Sequence, residues 1–227
     1  MSEKIIRPLA ESGRIRIGWF VERTTCLGPF SRTALWLQGC CRNCEGCIAP
    51  DMQPLSAGRM LYVDELAAMI TSTDTEGITI SGGEPFYQAD KLVSLMRAVK
   101  KMKPDYGVIL YSGYTFEELL KSGEPEILEL LSDFTDLLID GEYISELDDD
   151  RGIRGSSNQR LIFLTNRYAA SEQSLENGQA RRVDFFLREN NLVQMVGVPS
   201  KAAKRTIGKV NRTVGTIAAR KIHSSEE

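Results

Sequence analysis

The chain is almost without histidine. It has one, His223, in 227 residues. It also has no apolar run near the roughly 18 residues that a membrane-spanning helix needs. Its first eleven residues mix Glu3, Lys4, Arg7 and Glu11 with no hydrophobic segment, so no secretory signal is expected and the cytoplasm is the expected location. Five cysteines are too few for a disulfide scaffold, and an odd number cannot all pair. Glycine (19) and proline (8) stand near average usage, which excludes collagen-like and low-complexity character. No long internal repeat is present. What remains is ordinary globular composition, 42% apolar and 26% charged, in a length that suits one or two domains with a sizeable core.

The net charge of −3 is unevenly spread. Residues 200–227 carry seven basic side chains, from Lys201 to Lys221, against Glu226 and Glu227, a net of +5 that leaves −8 for the rest. No aromatic residue is interleaved with the basic ones, and the body is acidic, so nucleic acid is not an expected partner.

Along the chain, Arg14–Phe20 and Thr33–Leu37 are apolar and β-branched enough for strands. Val63–Thr73 reads as a helix with Val63, Leu66, Ala67 and Ile70 on one face, and Asp90–Lys103 as another with Leu92, Leu95, Met96, Val99 and Met102 at helical spacing. Gly77–Ile80, Val108–Tyr111 and Asp136–Asp140 read as short buried strands, with helical pieces at Thr115–Lys121 and Pro125–Leu131 between the last two. Strands alternating with helices predict an α/β fold with a mostly parallel sheet. In such sheets ligands gather at the carboxyl ends of the strands. The cysteine loop, Gly82-Gly83-Glu84-Pro85, Ser112-Gly113 and Asp140-Gly141 should therefore share one rim. Val183–Leu187 and Leu192–Val198 predict a β-hairpin. The tail from Ser200 carries a helical stripe weakened by Gly208 and Gly215, and is read as flexible or helical.

Cys40, Cys41, Cys44 and Cys47 crowd into eight residues, whereas Cys26 stands apart. In a reducing compartment such crowding points to metal or redox chemistry. Two registers compete, Cys40-x3-Cys44-x2-Cys47 and Cys41-x2-Cys44-x2-Cys47, and four thiolates could also hold zinc. Structural zinc usually draws on two separated pairs, and no second pair exists here. Three useful thiolates on one tight loop suit a [4Fe–4S] cluster better, with one iron left open for chemistry.

Cys40-x3-Cys44-x2-Cys47 followed by Ser81-Gly82-Gly83-Glu84-Pro85 resembles the radical S-adenosylmethionine superfamily. More narrowly, the chain resembles the activating enzymes of glycyl-radical enzymes, especially those of anaerobic ribonucleotide reductases. The matching stretches are LGPFSRTALWLQGCCRNCEGC, SGGEPFYQADKLVSL, YSGYTFEELL, and DGEYISEL with RGSSNQRLI, over residues 27–162. Cys41 stands where the family needs no cysteine, and Phe30 where a related turn has a second glycine.

The resemblance implies an open, partial (β/α) barrel formed by a catalytic domain over residues 1–162; the hairpin extension at 163–199, expected to pack on it, and the basic tail at 200–227 lie beyond the resemblance. It implies that Cys40, Cys44 and Cys47 bind a [4Fe–4S] cluster. Ser81, Gly82, Gly83, Glu84 and Ser112 would hold S-adenosylmethionine, Glu84 by accepting from its ammonium group. The implied activity is reductive cleavage to a 5′-deoxyadenosyl radical, which installs a glycyl radical on a partner, the anaerobic ribonucleotide reductase above all. A low-potential donor such as flavodoxin or ferredoxin would supply the electron. Radical modification of a peptide or small molecule is the first alternative. A non-catalytic zinc or ferredoxin-like module is the second.

Overall fold

The computed structural model describes residues 13–178, 181–187 and 193–205. The first elements among the described residues are an antiparallel pair, β1 (Arg14–Thr24) against β2 (Arg32–Leu37). After the cysteine loop come β3 (Arg59–Tyr62), on the other side of β1, and α1 (Val63–Thr71). Then follow β4 (Gly77–Gly82), α2 (Ala89–Met102), β5 (Gly107–Tyr111), α3 (Phe116–Ser122), α4 (Pro125–Glu129) and β6 (Leu137–Asp140). β7 (Arg160–Phe163) lies antiparallel to β6. α5 (Glu172–Asn177) leads to a separate hairpin of β8 (Asp184–Leu187) and β9 (Val193–Val196), after which 201–205 is helical.

The main sheet runs β3-β1-β2-β4-β5-β6-β7, with β2, β4, β5 and β6 parallel, and it does not close into a barrel. Side chains alternate between its faces because successive residues of a strand point opposite ways. Leu35, Leu37, Val108, Leu110 and Leu138 join α1 and α2 in one core. Ala34 and Trp36 face a second cluster that includes Val196 of β9, while Ile109, Leu137 and Ile139 face a third with Tyr168 and Leu175. The segments after β6 thus cover the face that the helices leave bare.

α2 buries Leu92, Val93, Leu95, Met96 and Val99, each contributing about 1.5–3 kcal/mol as an upper figure. Met102, predicted on that stripe, is instead 51% exposed. It is the last residue of the helix, beyond the edge of the underlying core. α3 starts on a capping box between Thr115 and Glu118 and ends at Gly123 in the left-handed region. The helix predicted at Pro125–Leu131 gives way to a π-helical turn over Leu130–Phe134, where Thr135 Oγ1 donates to the Leu130 carbonyl at 2.7 Å. β3 and β7 escape sequence reading because each is a four-residue strand at the sheet's edge with little alternation. Of the tail, only 200–205 falls within the described residues.

Arg32 is fully buried where β2 begins. Its Nε donates to Thr79 Oγ1 at 2.8 Å, Nη1 to Glu76 Oε2 at 2.8 Å and to the Tyr168 hydroxyl at 2.7 Å, and Nη2 to the Ile78 carbonyl at 2.7 Å. One guanidinium therefore ties β2, β4 and the segment after β7 together. Its planar fork cannot be reproduced by an ammonium. Replacing Arg32 with alanine leaves the Thr79 hydroxyl, the Ile78 carbonyl and the Tyr168 hydroxyl short of a buried donor, while Glu76 keeps Arg167 at 2.9 Å, so Arg32→Ala should lower stability by about 1–3 kcal/mol. Arg32→Lys should recover only part of it, as read from urea unfolding midpoints. A midpoint unchanged in Arg32→Ala would show that the network contributes nothing net.

Candidate functional site

The carboxyl ends of β2, β4, β5 and β6 surround a cavity of about 150 Å³. Cys40, Cys44 and Cys47 line it, as do Ser81, Gly82, Gly83, Glu84, Ser112, Gly113 and Gly141. The rim expected from the strand order is therefore assembled. Cys41 is exposed and lies outside the lining, and Cys26 belongs to a different, larger cavity.

The cysteine loop is fastened at both ends. The Gly39 N–H donates to the Met52 carbonyl at 2.8 Å, and the Cys40 N–H to the Gln53 carbonyl at 2.9 Å. Between Cys44 and Cys47 the chain turns tightly, with Cys47 N donating to the Cys44 carbonyl at 3.3 Å. Gly46 makes this possible at φ +68°, where a side chain would also press on Ser145. Burial pushes the Cys40 thiol up to about 11, against a lowering contribution from the Arg42 N–H. Burial and then the Glu142 carboxylate raise the Cys44 thiol. Burial thus favours the protonated thiols, and metal binding must work against it by releasing their protons. Among the described residues, no three Cys, His, Asp or Glu side chains converge on a single-ion position.

The glycines of the second loop lie directly against the first. A Cβ on Gly83 would stand 2.2 Å from the Gly39 carbonyl oxygen, and one on Gly82 2.3 Å from that of Leu37. Gly83 N–H and Glu84 N–H donate to those same two chain segments, at Leu37 (2.8 Å) and Gly39 (2.9 Å). Glu84 is 1% exposed. Its carboxylate accepts from Phe86 N–H at 3.2 Å, Ser112 Oγ at 3.0 Å and Gly113 N–H at 2.9 Å. Burial pushes it up to about 7 even so, with these donors and Arg42 pulling the other way. The Ser112 hydroxyl also accepts from Tyr114 N–H at 3.0 Å, so it positions Glu84 and the next turn. Ser81 sits at the end of β4 on the cavity wall.

Asp140, at the end of β6, turns from the cavity to the start of α3. It accepts from Phe116 N–H at 2.7 Å and pairs with Arg160. Gln159 joins the two outer loops: its Oε1 accepts from Gly155 N–H at 2.8 Å and its Nε2 donates to the Gly141 carbonyl at 2.7 Å. Asn158 Nδ2 donates to the Glu142 carbonyl at 2.8 Å, and Arg154 pairs with Asp149 at 2.9 Å.

Sequence reading missed Arg42, Tyr143 and Val198 on the cavity wall. Arg42 lies over the Tyr114 ring at 4.6 Å and reaches Glu142 at 3.3 Å. A Cβ on Gly113 would meet its stem at 2.5 Å, so that glycine makes room for it. Its Nε is buried against Gly113, with no hydrogen-bond partner among the described residues. Its place inside the cysteine loop was the available signal. A three-thiol donor set and a buried carboxylate on one cavity fit an iron–sulfur cluster beside a small zwitterionic ligand.

Residues 26–162 match the family described as a 4Fe-4S single cluster domain. The chain is 33% identical over 144 residues to the anaerobic ribonucleoside-triphosphate reductase-activating protein of Enterobacteria phage T4, covering 61% of this chain and 88% of that protein. It is 34% identical over 148 residues to the protein of the same name from Vibrio cholerae, covering 61% and 91%. A pyruvate formate-lyase-activating enzyme of Clostridium pasteurianum is 29% identical over 112 residues, or 45% of this chain and 47% of that enzyme. With its thiol loop and Gly-Gly-Glu-Pro rim on one cavity, the chain belongs to the 4Fe-4S single cluster domain family and, within it, to the family of the anaerobic ribonucleoside-triphosphate reductase-activating proteins.

Proposed function

We propose that this chain is a radical S-adenosylmethionine activase that installs a glycyl radical on an anaerobic ribonucleoside-triphosphate reductase. The observation that carries the reading is the single cavity on which Cys40, Cys44, Cys47 and Glu84 meet. The two relatives named as activators of that reductase support the choice of partner.

Cys40, Cys44 and Cys47 would hold a [4Fe–4S] cluster, and Cys41, exposed and outside the cavity lining, would take no part. When bound, the cluster and S-adenosylmethionine together supply the reductive cleavage that yields a 5′-deoxyadenosyl radical. The protein binds and orients. Gly82 and Gly83 let the Glu84 loop lie against Leu37 and Gly39, which sets its distance from the cysteine loop. Glu84, fixed by Ser112 and Gly113, accepts from the methionine ammonium. Arg42 closes the wall between the cysteine loop and Tyr114. A low-potential flavodoxin or ferredoxin supplies the electron. The deciding experiment is anaerobic incubation with reductant, S-adenosylmethionine and the candidate reductase, read by electron paramagnetic resonance. A stable glycyl signal on the reductase is expected, and none appearing would reject the partner.

Replacing Cys40, Cys44 or Cys47 with alanine should abolish both full iron loading and 5′-deoxyadenosine formation, whereas Cys41→Ser should keep both. Full cleavage by Cys44→Ala, or loss in Cys41→Ser with activity in Cys40→Ser, would overturn the ligand set.

Glu84 gives a pH signature. Only its ionised form attracts an ammonium, and it protonates as pH falls through about 7. Affinity for S-adenosylmethionine should therefore weaken progressively below that pH. A charge-assisted hydrogen bond of about 1.5–3 kcal/mol corresponds to at least a tenfold rise in Kd for Glu84→Gln at pH 8, and the variant should lack the acid-side loss. Equal titration curves for both proteins would leave Glu84 as a turn residue only.

A further inference from the structure

Part of the thiol-lined cavity is walled by residues beyond 162, where the family match ends. Gly197 and Val198 line it, just after β9. Val196, one residue earlier, is fully buried in the cluster that holds Trp36 and Met52. Gly197 itself sits at φ +115°, and a Cβ there would stand 2.6 Å from the Arg182 carbonyl oxygen. The extension is thus seated on the cavity through a position that only glycine fits. From the matched part of the chain, Tyr143, Gly155 and Gln159 line the same cavity.

One buried carboxylate fastens the two parts together. Asp148, its side chain 1% exposed, pairs with Arg181 Nη1 at 2.7 Å and with Lys204 Nζ at 2.7 Å. Arg181 precedes the β8–β9 hairpin and Lys204 follows it, so both ends of the extension close on one group. Arg181 Nη2 also donates to the Arg154 carbonyl at 2.6 Å and to the Gly155 carbonyl at 3.2 Å, which holds the loop carrying Gly155. Lys204 Nζ donates to the Tyr143 hydroxyl at 3.0 Å and lies 5.3 Å from the centre of its ring. Between them, Lys201 N–H donates to Asp150 Oδ1 at 2.7 Å. Burial works against ionised Asp148, but Lys204, the Asp150 N–H and Arg181 outweigh it and hold the carboxyl below its usual range.

We infer that residues 197–204 are a size-selective wall of the thiol-lined cavity, and that Lys204 is the positioning residue that keeps it closed, through Asp148 and Tyr143. The inference rests on that cavity being the reaction site proposed above, and adds to it an element that decides which molecules reach the thiols. The glycine-bearing loops of the cavity are locked by the sheet's own ladder, from Gly83 to Leu37 and from Glu84 to Gly39. The extension's side is held by side chains instead, and Lys204 is the partly exposed one among them. Losing it unties Tyr143 and leaves Asp148 with Arg181 alone. The wall then opens without disturbing the cysteine loop, whose ends are tied to Met52 and Gln53.

The test is thiol labelling of the full-length chain, stripped of iron and mapped by mass spectrometry. A small reagent, iodoacetamide, is compared with a bulky one, fluorescein maleimide. Exposed Cys41, outside the cavity lining, is the internal reference for each. In the parent chain the bulky reagent should label Cys40, Cys44 and Cys47 much more slowly than Cys41. Lys204→Met should raise bulky labelling of those three, relative to Cys41, by about tenfold, the shift that one lost hydrogen bond to a charged group gives an opening equilibrium. The iodoacetamide ratio should stay as it was, and Lys204→Arg should restore protection. Asp148→Asn, which weakens both fasteners, should open the wall at least as far. Bulky labelling unchanged in Lys204→Met and Asp148→Asn, or a rise shared equally by iodoacetamide, would overturn the inference. Labelling needs neither iron nor S-adenosylmethionine, so its failure leaves the proposed activity standing, and an absent glycyl signal leaves the labelling result standing.

Discussion

The site depends on how closely two backbones approach past the end of their strands. β2 and β4 run in parallel register up to Leu37 opposite Gly82. Their hydrogen bonding then continues into the loops, from Gly83 to Leu37 and from Glu84 to Gly39. Only residues without a Cβ fit there, since a methyl group on either glycine would penetrate the neighbouring main chain. The thiol loop and the Glu84 loop are thus one welded unit, and their spacing is set by a sheet's ladder rather than by flexible side chains. This is the precision that a cofactor site needs from its supporting structure.

Buried charge is used in opposite ways at the two ends of the sheet. Where β2 begins, Arg32 is enclosed by Glu76, Tyr168 and backbone carbonyls, so its charge is spent on cohesion. At the other end Glu84 has donors but no close ion pair, and burial wins against them. A carboxylate held near neutrality in a cleft is a poor structural element and a usable functional one. Arg42 joins both uses, with Nη2 engaged by Glu142 and its stem packed on Gly113 beside the Tyr114 ring.

Legibility followed sequence distance. The thiol spacing and Gly82-Gly83-Glu84-Pro85 are local patterns, and the alternation of short β-branched runs with α1 and α2 located the rim before any coordinates. Met102 failed because helical spacing does not say where the underlying core stops. β3 and β7 failed because their pairing, not their four residues, makes them strands. Arg42 over Tyr114, and Gln159 across Gly141, join residues far apart in sequence, and no local pattern signals such pairs. The larger cavity was invisible for the same reason: Ser31 and Leu175 line it together only because the extension packs back over the sheet.

The thiol loop lies inside the connection that carries the chain from β2 across the sheet's edge strand β3, through α1, and back to β4. Parallel neighbours can pair only after such a long connection has closed, an entropic cost met before the contacts reward it. On the ligand set proposed above, a cluster held by Cys40, Cys44 and Cys47 would cross-link that connection at three points and favour the native chain over the unfolded one. Gain or loss of iron therefore reaches beyond chemistry at the cavity. It shifts how firmly the central parallel pair is held shut, and with it the exposure of this stretch of chain to proteolysis.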